Sequence, residues 1–156
     1  MNKEIQTSDE NQTEEAGSAF SKNLLKKSLS RSIVIFLEGN LGAGKTTFTK
    51  GLMRGLGYNE LVKSPTYNLV EIHETEKLKV FHFDLYRINE PHELTEIGIG
   101  EYLEEENSIC IFEWPENAQS LLPQPDYTIE IEHSDDEQLG KRYITVSYTH
   151  LRAHET

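Results

Sequence analysis

The chain has 156 residues, a formal net charge of −12 and an ordinary globular composition, with 36% hydrophobic and 27% charged residues. This acidity argues against a protein that binds nucleic acid alone, because affinity for phosphate backbones needs clustered lysine and arginine. The single cysteine, Cys110, excludes an internal disulfide and a cysteine-based zinc site. No apolar run approaches the length of a membrane span, so we expect no membrane partner and a cytoplasmic location.

The first half of the chain predicts two helices and three strands. A polar start leads into a helix that begins near Ser8 or Asp9 and ends near Lys27. An apolar run over residues 33–38 predicts a buried strand, and the helix after it should end near a glycine at 55 or 57. Two further strands should form a hairpin, over residues 67–73 and 78–84.

The second half predicts short helices, another buried strand and a second hairpin. The predicted segments are helices over 93–97 and 99–105, a strand over 108–112, a short helix after Pro115, and strands over 127–133 and 142–148 joined by a turn over 134–140. This order predicts an α/β protein with a P-loop NTPase-like three-layer fold, in which helices cover both faces of a mixed central sheet. We expect one domain over residues 1–148 and a disordered or non-native tail over 149–156, which continues no pattern.

One segment fits the phosphate-binding pattern G-x-x-x-x-G-K-[ST] without a mismatch. It consists of Gly39, Asn40, Leu41, Gly42, Ala43, Gly44, Lys45 and Thr46, and Thr47 follows it. A predicted strand precedes the motif and a predicted helix follows it, which is the context that a P-loop needs. Backbone N–H groups would surround a phosphate, Lys45 would reach the β- and γ-phosphates, and the Thr46 hydroxyl would bind Mg²⁺.

Hydrolysis would need further groups beside this loop, to hold Mg²⁺ and to position water. Asp84 and Glu113 each follow an apolar strand, where a carboxylate could bind Mg²⁺ directly or through water, or could simply be a surface acid. Ser64 and Thr66 lie where many NTPases have a loop that senses the γ-phosphate, although an ordinary turn explains them nearly as well. Trp114 could cover the nucleotide or fill the core.

Several short motifs occur in an order that resembles the bacterial TsaE family. They lie at residues 39–47, 62–67, 81–87, 93–98 and 113–115, and the resemblance covers about residues 5 to 147. It implies an ATPase of tRNA threonylcarbamoyladenosine synthesis that binds ATP and Mg²⁺. Its partners would be TsaB and TsaD homologues, and it would meet tRNA only indirectly through that complex.

The resemblance also implies roles for individual residues. It makes Thr46 and Glu113 the Mg²⁺ ligands and Asp84 the residue important for hydrolysis, beside the catalytic Lys45. It places an N-terminal threonine near the adenine, and Thr13 is the best match for it.

Two other functions stay open from the residues alone: a small-molecule kinase and a nucleotide-dependent binding switch. A kinase usually has a lid with several arginines or lysines over the phosphates. Between Tyr86 and Trp114 this chain offers only Arg87, which counts against a kinase. Arg87 could instead stabilise charge in the transition state or pair with a surface acid.

Overall fold

The computed structural model describes residues 2–25, 30–40, 42–58, 69–133 and 141–148. Within these residues the strands are β1 (Asn2–Thr7), β2 (Ile33–Glu38), β3 (Val70–Glu74), β4 (Lys79–Asp84), β5 (Ser108–Glu113), β6 (Tyr127–His133) and β7 (Arg142–Tyr148). The helices are α1 (Glu10–Leu24), α2 (Lys45–Gly55), α3 (His92–Glu96) and α4 (Ile99–Glu104), with a 3₁₀ helix at Pro115–Leu121.

The strands form one mixed sheet in the order β1-β7-β6-β2-β5-β4-β3. Its centre is parallel, because β2 pairs in parallel with both β5 and β6, and β4 pairs in parallel with β5. The outer pairs, β1 with β7, β6 with β7 and β3 with β4, are antiparallel. The parallel centre brings the carboxyl ends of β2, β4 and β5 to one edge of the sheet, where ligands bind in open α/β sheets.

Alternating side chains divide the core into two layers, one on each face of the sheet. In β2, Ile33, Ile35 and Leu37 pack with the apolar residues of α1 and α2, while Val34 and Phe36 pack on the opposite face. That opposite face is covered by residues of α3, α4 and the 3₁₀ helix. The expectation of a mixed sheet with helices on both faces is therefore confirmed.

The first two helices pack unusually closely because glycines meet at their contact. A Cβ atom on Gly17 of α1 would clash with the carbonyl oxygen of Phe48, and one on Gly51 of α2 would clash with that of Glu14. The N-terminus of α1 is fixed as well, since Asp9 accepts a hydrogen bond of 2.8 Å from the backbone N–H of Gln12. This close pair fixes the position of α2 and hence of the loop that precedes it.

The sequence pattern did not predict β1, because this part of the chain shows only as a polar segment. This strand pairs with β7 at the edge of the sheet, and its residues are exposed except for Ile5 and Thr7. An edge strand with one solvated side needs few apolar residues, so it leaves little hydrophobic signal. Both predicted hairpins are present; β3 begins at Val70, and residues 67–68, the turn at 134–140 and the tail at 149–156 lie outside the described residues.

No helix in the described ranges combines the length and the apolar character that a membrane span requires.

Candidate functional site

The glycine loop lies between the end of β2 and the start of α2, as the motif predicts. Gly42 and Gly44 have φ angles of 79° and 112°, in the region that favours glycine. Gly44 is the N-cap of α2, and no side chain in the described residues caps this helix start. The N-terminus of α2 and its first N–H groups therefore lie at the loop, an arrangement that suits an anion. Leu41 lies outside the described residues.

Lys45 is buried against two residues at the end of the neighbouring strand β5. Its Nζ lies 3.5 Å from Glu113 Oε1 and 4.4 Å from the centre of the Trp114 ring. Its side chain is 7% exposed, so the ammonium has left water and interacts with a carboxylate and an aromatic face instead. The motif lysine and the predicted acid at the end of β5 thus form one cluster.

Glu113 is the last residue of β5, and its two oxygens have different partners. Oε1 faces Lys45, while Oε2 lies 2.6 Å from Nε2 of the buried His82 in β4. Burial alone would raise the pKa of Glu113, but the hydrogen bond and charge of His82 and the nearby Lys45 outweigh it. The pKa of Glu113 consequently lies below its ordinary value, and the carboxylate is held ionised.

Asp84 ends β4 and lies directly opposite Glu113 in the register of the two strands. It is half-buried, and its Oδ1 accepts a hydrogen bond of 3.0 Å from the backbone N–H of Tyr86. Burial raises the pKa of Asp84 above its ordinary value; the Tyr86 hydrogen bond opposes this, and Glu113 raises the pKa further. Asp84 therefore takes up a proton more readily than an isolated aspartate does.

The donor atoms at this edge suit Mg²⁺ held mainly through a bound phosphate. Oε1 of Glu113 belongs to an ionised carboxylate, so this oxygen can bind a cation once Lys45 has moved away from it. Thr46 lies on the exposed side of the first turn of α2. Within the described part of the chain no group of three or more His, Cys, Asp or Glu residues could hold a metal alone. Mg²⁺ commonly uses one or two protein oxygens, substrate phosphates and waters, and these residues fit that pattern.

The remaining predicted residues differ in position. Thr13 is buried, and its Oγ1 lies 2.7 Å from Thr7 Oγ1. Its methyl group would lie 3.8 Å from a Cβ on Gly44, so Thr13 packs against the loop. Thr47 is half-buried in the first turn of α2. Ser64 and Thr66 lie outside the described residues.

A cavity of about 570 Å³ lies beside the first half of the loop. Its lining residues are Glu38, Gly39, Asn40, Ala43, Trp114, Glu116, Glu130, Ile131, Glu132 and His133. Burial, followed by the charges of nearby Glu130 and Glu116, raises the pKa of Glu38. Trp114 is half-buried and shared between this cavity and Lys45, so it lies at the site rather than deep in the core. The described lining residues include no lysine or arginine for a phosphate, which leaves that task to the loop and Lys45.

Two residues of this site were not identified from the sequence. His82 shares a face of β4 with Asp84, two residues on, so the two-residue period of the strand could have pointed to it. Arg142 begins β7, and its Nε would lie 3.7 Å from a Cβ on Gly44. Only the pairing of β7 with β1 and β6 brings Arg142 near the loop, so local sequence carried no signal for it.

Comparisons with known proteins identify the family of this chain. The family model described as "Threonylcarbamoyl adenosine biosynthesis protein TsaE" matches residues 7–144. A Haemophilus influenzae protein named tRNA threonylcarbamoyladenosine biosynthesis protein TsaE is 44% identical over 120 residues, which are 77% of this chain and 75% of that protein. The Bacillus subtilis protein of the same name is 37% identical over 117 residues, covering 70% of this chain and 72% of the relative.

A solved structure extends the likeness to the backbone. The crystal structure of Bacillus subtilis YdiB superposes with a TM-score of 0.75 at 28% sequence identity, over 95% of this chain and 86% of that one. The mixed sheet described above is thus shared along nearly the whole length of both chains.

Proposed function

Because the chain belongs to the TsaE family of threonylcarbamoyl adenosine biosynthesis proteins, we propose that it binds and hydrolyses ATP with Mg²⁺ for that tRNA modification. We further propose that it acts with TsaB and TsaD homologues and meets tRNA only through them. The observation that carries the hydrolytic part is the buried Lys45–Glu113 contact beside the glycine loop that begins α2. A lysine, a carboxylate and a glycine loop at one sheet edge are the groups that phosphoryl transfer requires.

Each group of this chain has a distinct task in the proposal. The backbone N–H groups of residues 42–46 and the N-terminus of α2 hold the β-phosphate. Lys45 leaves Glu113 and moves onto the β- and γ-phosphates, where its charge is neutralised by the nucleotide. Trp114, 4.4 Å from Lys45 Nζ, shields this contact from water. Gly39, Asn40 and Ala43 supply the loop wall, and Thr47 and Thr13 border the loop from α2 and α1.

Mg²⁺ would neutralise charge on the phosphates when bound, and Thr46 and Glu113 are the residues that would hold it. Glu113 suits this task because it is ionised and its position is fixed by His82. Asp84 is the better candidate for handling water. It is half-buried, and its raised pKa brings it closer to the range in which a carboxylate can accept a proton. Asp84 thereby orients the attacking water or accepts its proton.

Partner dependence follows from the shortage of cations around the phosphates. Besides Lys45, the described residues near the loop offer Arg142, and Arg87 is exposed after β4. Closure by a partner could exclude water and complete the charge around the γ-phosphate. We therefore expect slow hydrolysis by the isolated protein and faster hydrolysis when TsaB and TsaD homologues are present.

A steady-state phosphate-release assay tests the proposal with the lone protein, each pairwise mixture and the full set. We expect the full set to be fastest, and Lys45→Ala to lose most nucleotide affinity and turnover. One charged hydrogen bond is worth about 1.5–3 kcal/mol, so titration calorimetry should show affinity for ADP lower by about 10- to 100-fold. Equal rates in every mixture, with no complex on a sizing column, would contradict the proposal and favour a metabolite kinase.

A further inference from the structure

His82 is a polar side chain in a position that otherwise suits an apolar one. It lies in the middle of β4, between Phe81 and Phe83, and only 1% of it is exposed. Burying an imidazole away from water costs free energy unless its polar atoms find partners. The contact that offsets the cost of burying His82 should therefore explain why a histidine occupies this position.

The hydrogen bonds of His82 identify where its proton lies. Nε2 is 2.6 Å from Glu113 Oε2, whereas Nδ1 has no hydrogen-bond partner among the described residues. A neutral imidazole with its proton on Nδ1 would bury an unpaired donor and set the Nε2 lone pair against a carboxylate oxygen. A proton on Nε2 avoids both penalties. Nε2 consequently donates to Oε2 of Glu113.

This single hydrogen bond gives the two oxygens of the Glu113 carboxylate different partners. Oε2 is held by His82 from the neighbouring strand, which leaves Oε1 facing Lys45. Without His82 the carboxylate could turn, and Oε1 would no longer be held in the orientation proposed for Mg²⁺. Partners behind a metal-binding carboxylate orient it in the same way in many metal sites.

We propose that His82 is a positioning residue of the nucleotide site, which holds Glu113 so that Oε1 alone faces Mg²⁺ and the phosphates. This inference rests on the function proposed above for Glu113. His82 itself touches neither metal nor nucleotide, and its effect passes through Glu113. A merely structural histidine would instead support folding without a specific effect on the dependence of nucleotide binding on Mg²⁺.

The test compares His82→Leu, which removes the donor, with His82→Gln, whose amide can again donate toward Oε2. His73→Leu is a matched control, because His73 is also buried, on the adjacent strand β3, and its Nδ1 lies 3.1 Å from the Tyr58 hydroxyl. Titration calorimetry measures ADP affinity for each full-length variant with Mg²⁺ and with a chelator.

For His82→Leu we expect the gain in ADP affinity from Mg²⁺ to fall by about 10- to 100-fold, the range found when such supporting partners are removed. The affinity of His82→Leu for ADP in the presence of the chelator should stay unchanged. His82→Gln should recover most of the gain in ADP affinity from Mg²⁺, and His73→Leu should match the wild type. An equal loss with and without Mg²⁺, or no recovery in His82→Gln, would overturn the positioning role. A wild type whose ADP affinity does not depend on Mg²⁺ would overturn the proposed Mg²⁺ site, and the positioning role with it.

Nitrogen NMR of the ligand-free wild type adds a measurement that needs neither nucleotide nor a folded variant. We expect the His82 imidazole to carry a proton on Nε2 that exchanges slowly with water. A proton on Nδ1 alone would overturn the proposed hydrogen bond, even if the protein proves to be an ATPase.

Discussion

The ends of β4 and β5 carry two carboxylates that lie opposite each other yet differ in state. Asp84 and Glu113 are paired in register, so each occupies the same position at the end of its strand. Glu113 is buried between His82 and Lys45, and its pKa lies below the ordinary value. Asp84 is half-buried and accepts a hydrogen bond from the backbone N–H of Tyr86, and burial raises its pKa. Neighbouring side chains, rather than strand position, therefore separate a fixed anion from a group that can exchange a proton.

The largest expected effect is the loss of hydrolysis rate when Asp84 is changed. Asp84→Asn keeps the shape of the side chain but removes its capacity to accept a proton. Because a positioned general base contributes about 10²- to 10⁴-fold, we expect hydrolysis to fall by at least about 100-fold. Affinity for ADP with Mg²⁺ should change little, as measured by calorimetry beside a phosphate-release assay. Normal hydrolysis by this variant would show that the two acids do not differ in the way proposed.

The opposite pattern is expected at Glu113. Glu113→Gln keeps an oxygen for His82 but removes the negative charge, so the gain in ADP affinity from Mg²⁺ should fall by about tenfold or more. Thr46→Ala should weaken the same gain, because it removes the other proposed ligand. The affinity for ADP measured in the presence of a chelator should fall less in both variants. If Asp84→Asn lost the Mg²⁺ dependence and Glu113→Gln kept it, the assignments would have to be exchanged.

A smaller effect should appear in the stability of the folded protein against acid. The pKa of folded Glu113 lies below 4.5, so its contribution is present above that pH and is lost as pH falls from 4.5 toward the folded pKa. The pKa of Asp84 is raised above 3.8, so Asp84 opposes folding increasingly as pH rises through the interval above 3.8.

Denaturant unfolding at a series of pH values checks these signs. Relative to the wild type, Glu113→Gln should flatten the loss of stability below pH 4.5, while Asp84→Asn should steepen the loss of stability in the interval just above pH 3.8. Curves of identical slope for all three proteins would contradict the opposite pKa shifts.

The smallest effect is expected from deleting residues 149–156, which follow the last strand, β7. We propose that residues 1–148 form the single working domain, and the family match ends at residue 144. Melting temperature and ADP affinity should stay within error of the full chain. A fall of many degrees would show that the tail packs against the domain.

The sequence predicted the parts of this site that lie within single segments. The glycine loop, the strands before Asp84 and Glu113, and both hairpins follow from local patterns, because apolar runs and turn residues act over a few positions. The Lys45–Glu113 contact follows in outline from the parallel centre of the sheet.

What could not be predicted depends on how distant segments pair. His82 meets Glu113 only because β4 and β5 are neighbours, and Arg142 reaches Gly44 only through the antiparallel pairing of β7. The polar edge strand β1 was missed because it pairs with β7 through backbone hydrogen bonds, which require few apolar side chains. The opposite pKa shifts of Asp84 and Glu113 do not follow from the local pattern either, because each simply follows an apolar run; only the family resemblance gave the two acids different roles.

A crystal structure with a non-hydrolysable ATP analogue and Mg²⁺ would test the central claim most directly. The account predicts that Lys45 leaves Glu113 Oε1 for the phosphates, that Mg²⁺ lies beside Thr46 and Glu113, and that His82 keeps its hydrogen bond to Oε2. Phosphates bound away from residues 39–46, or Mg²⁺ held by Asp84 while Lys45 still pairs with Glu113, would contradict it.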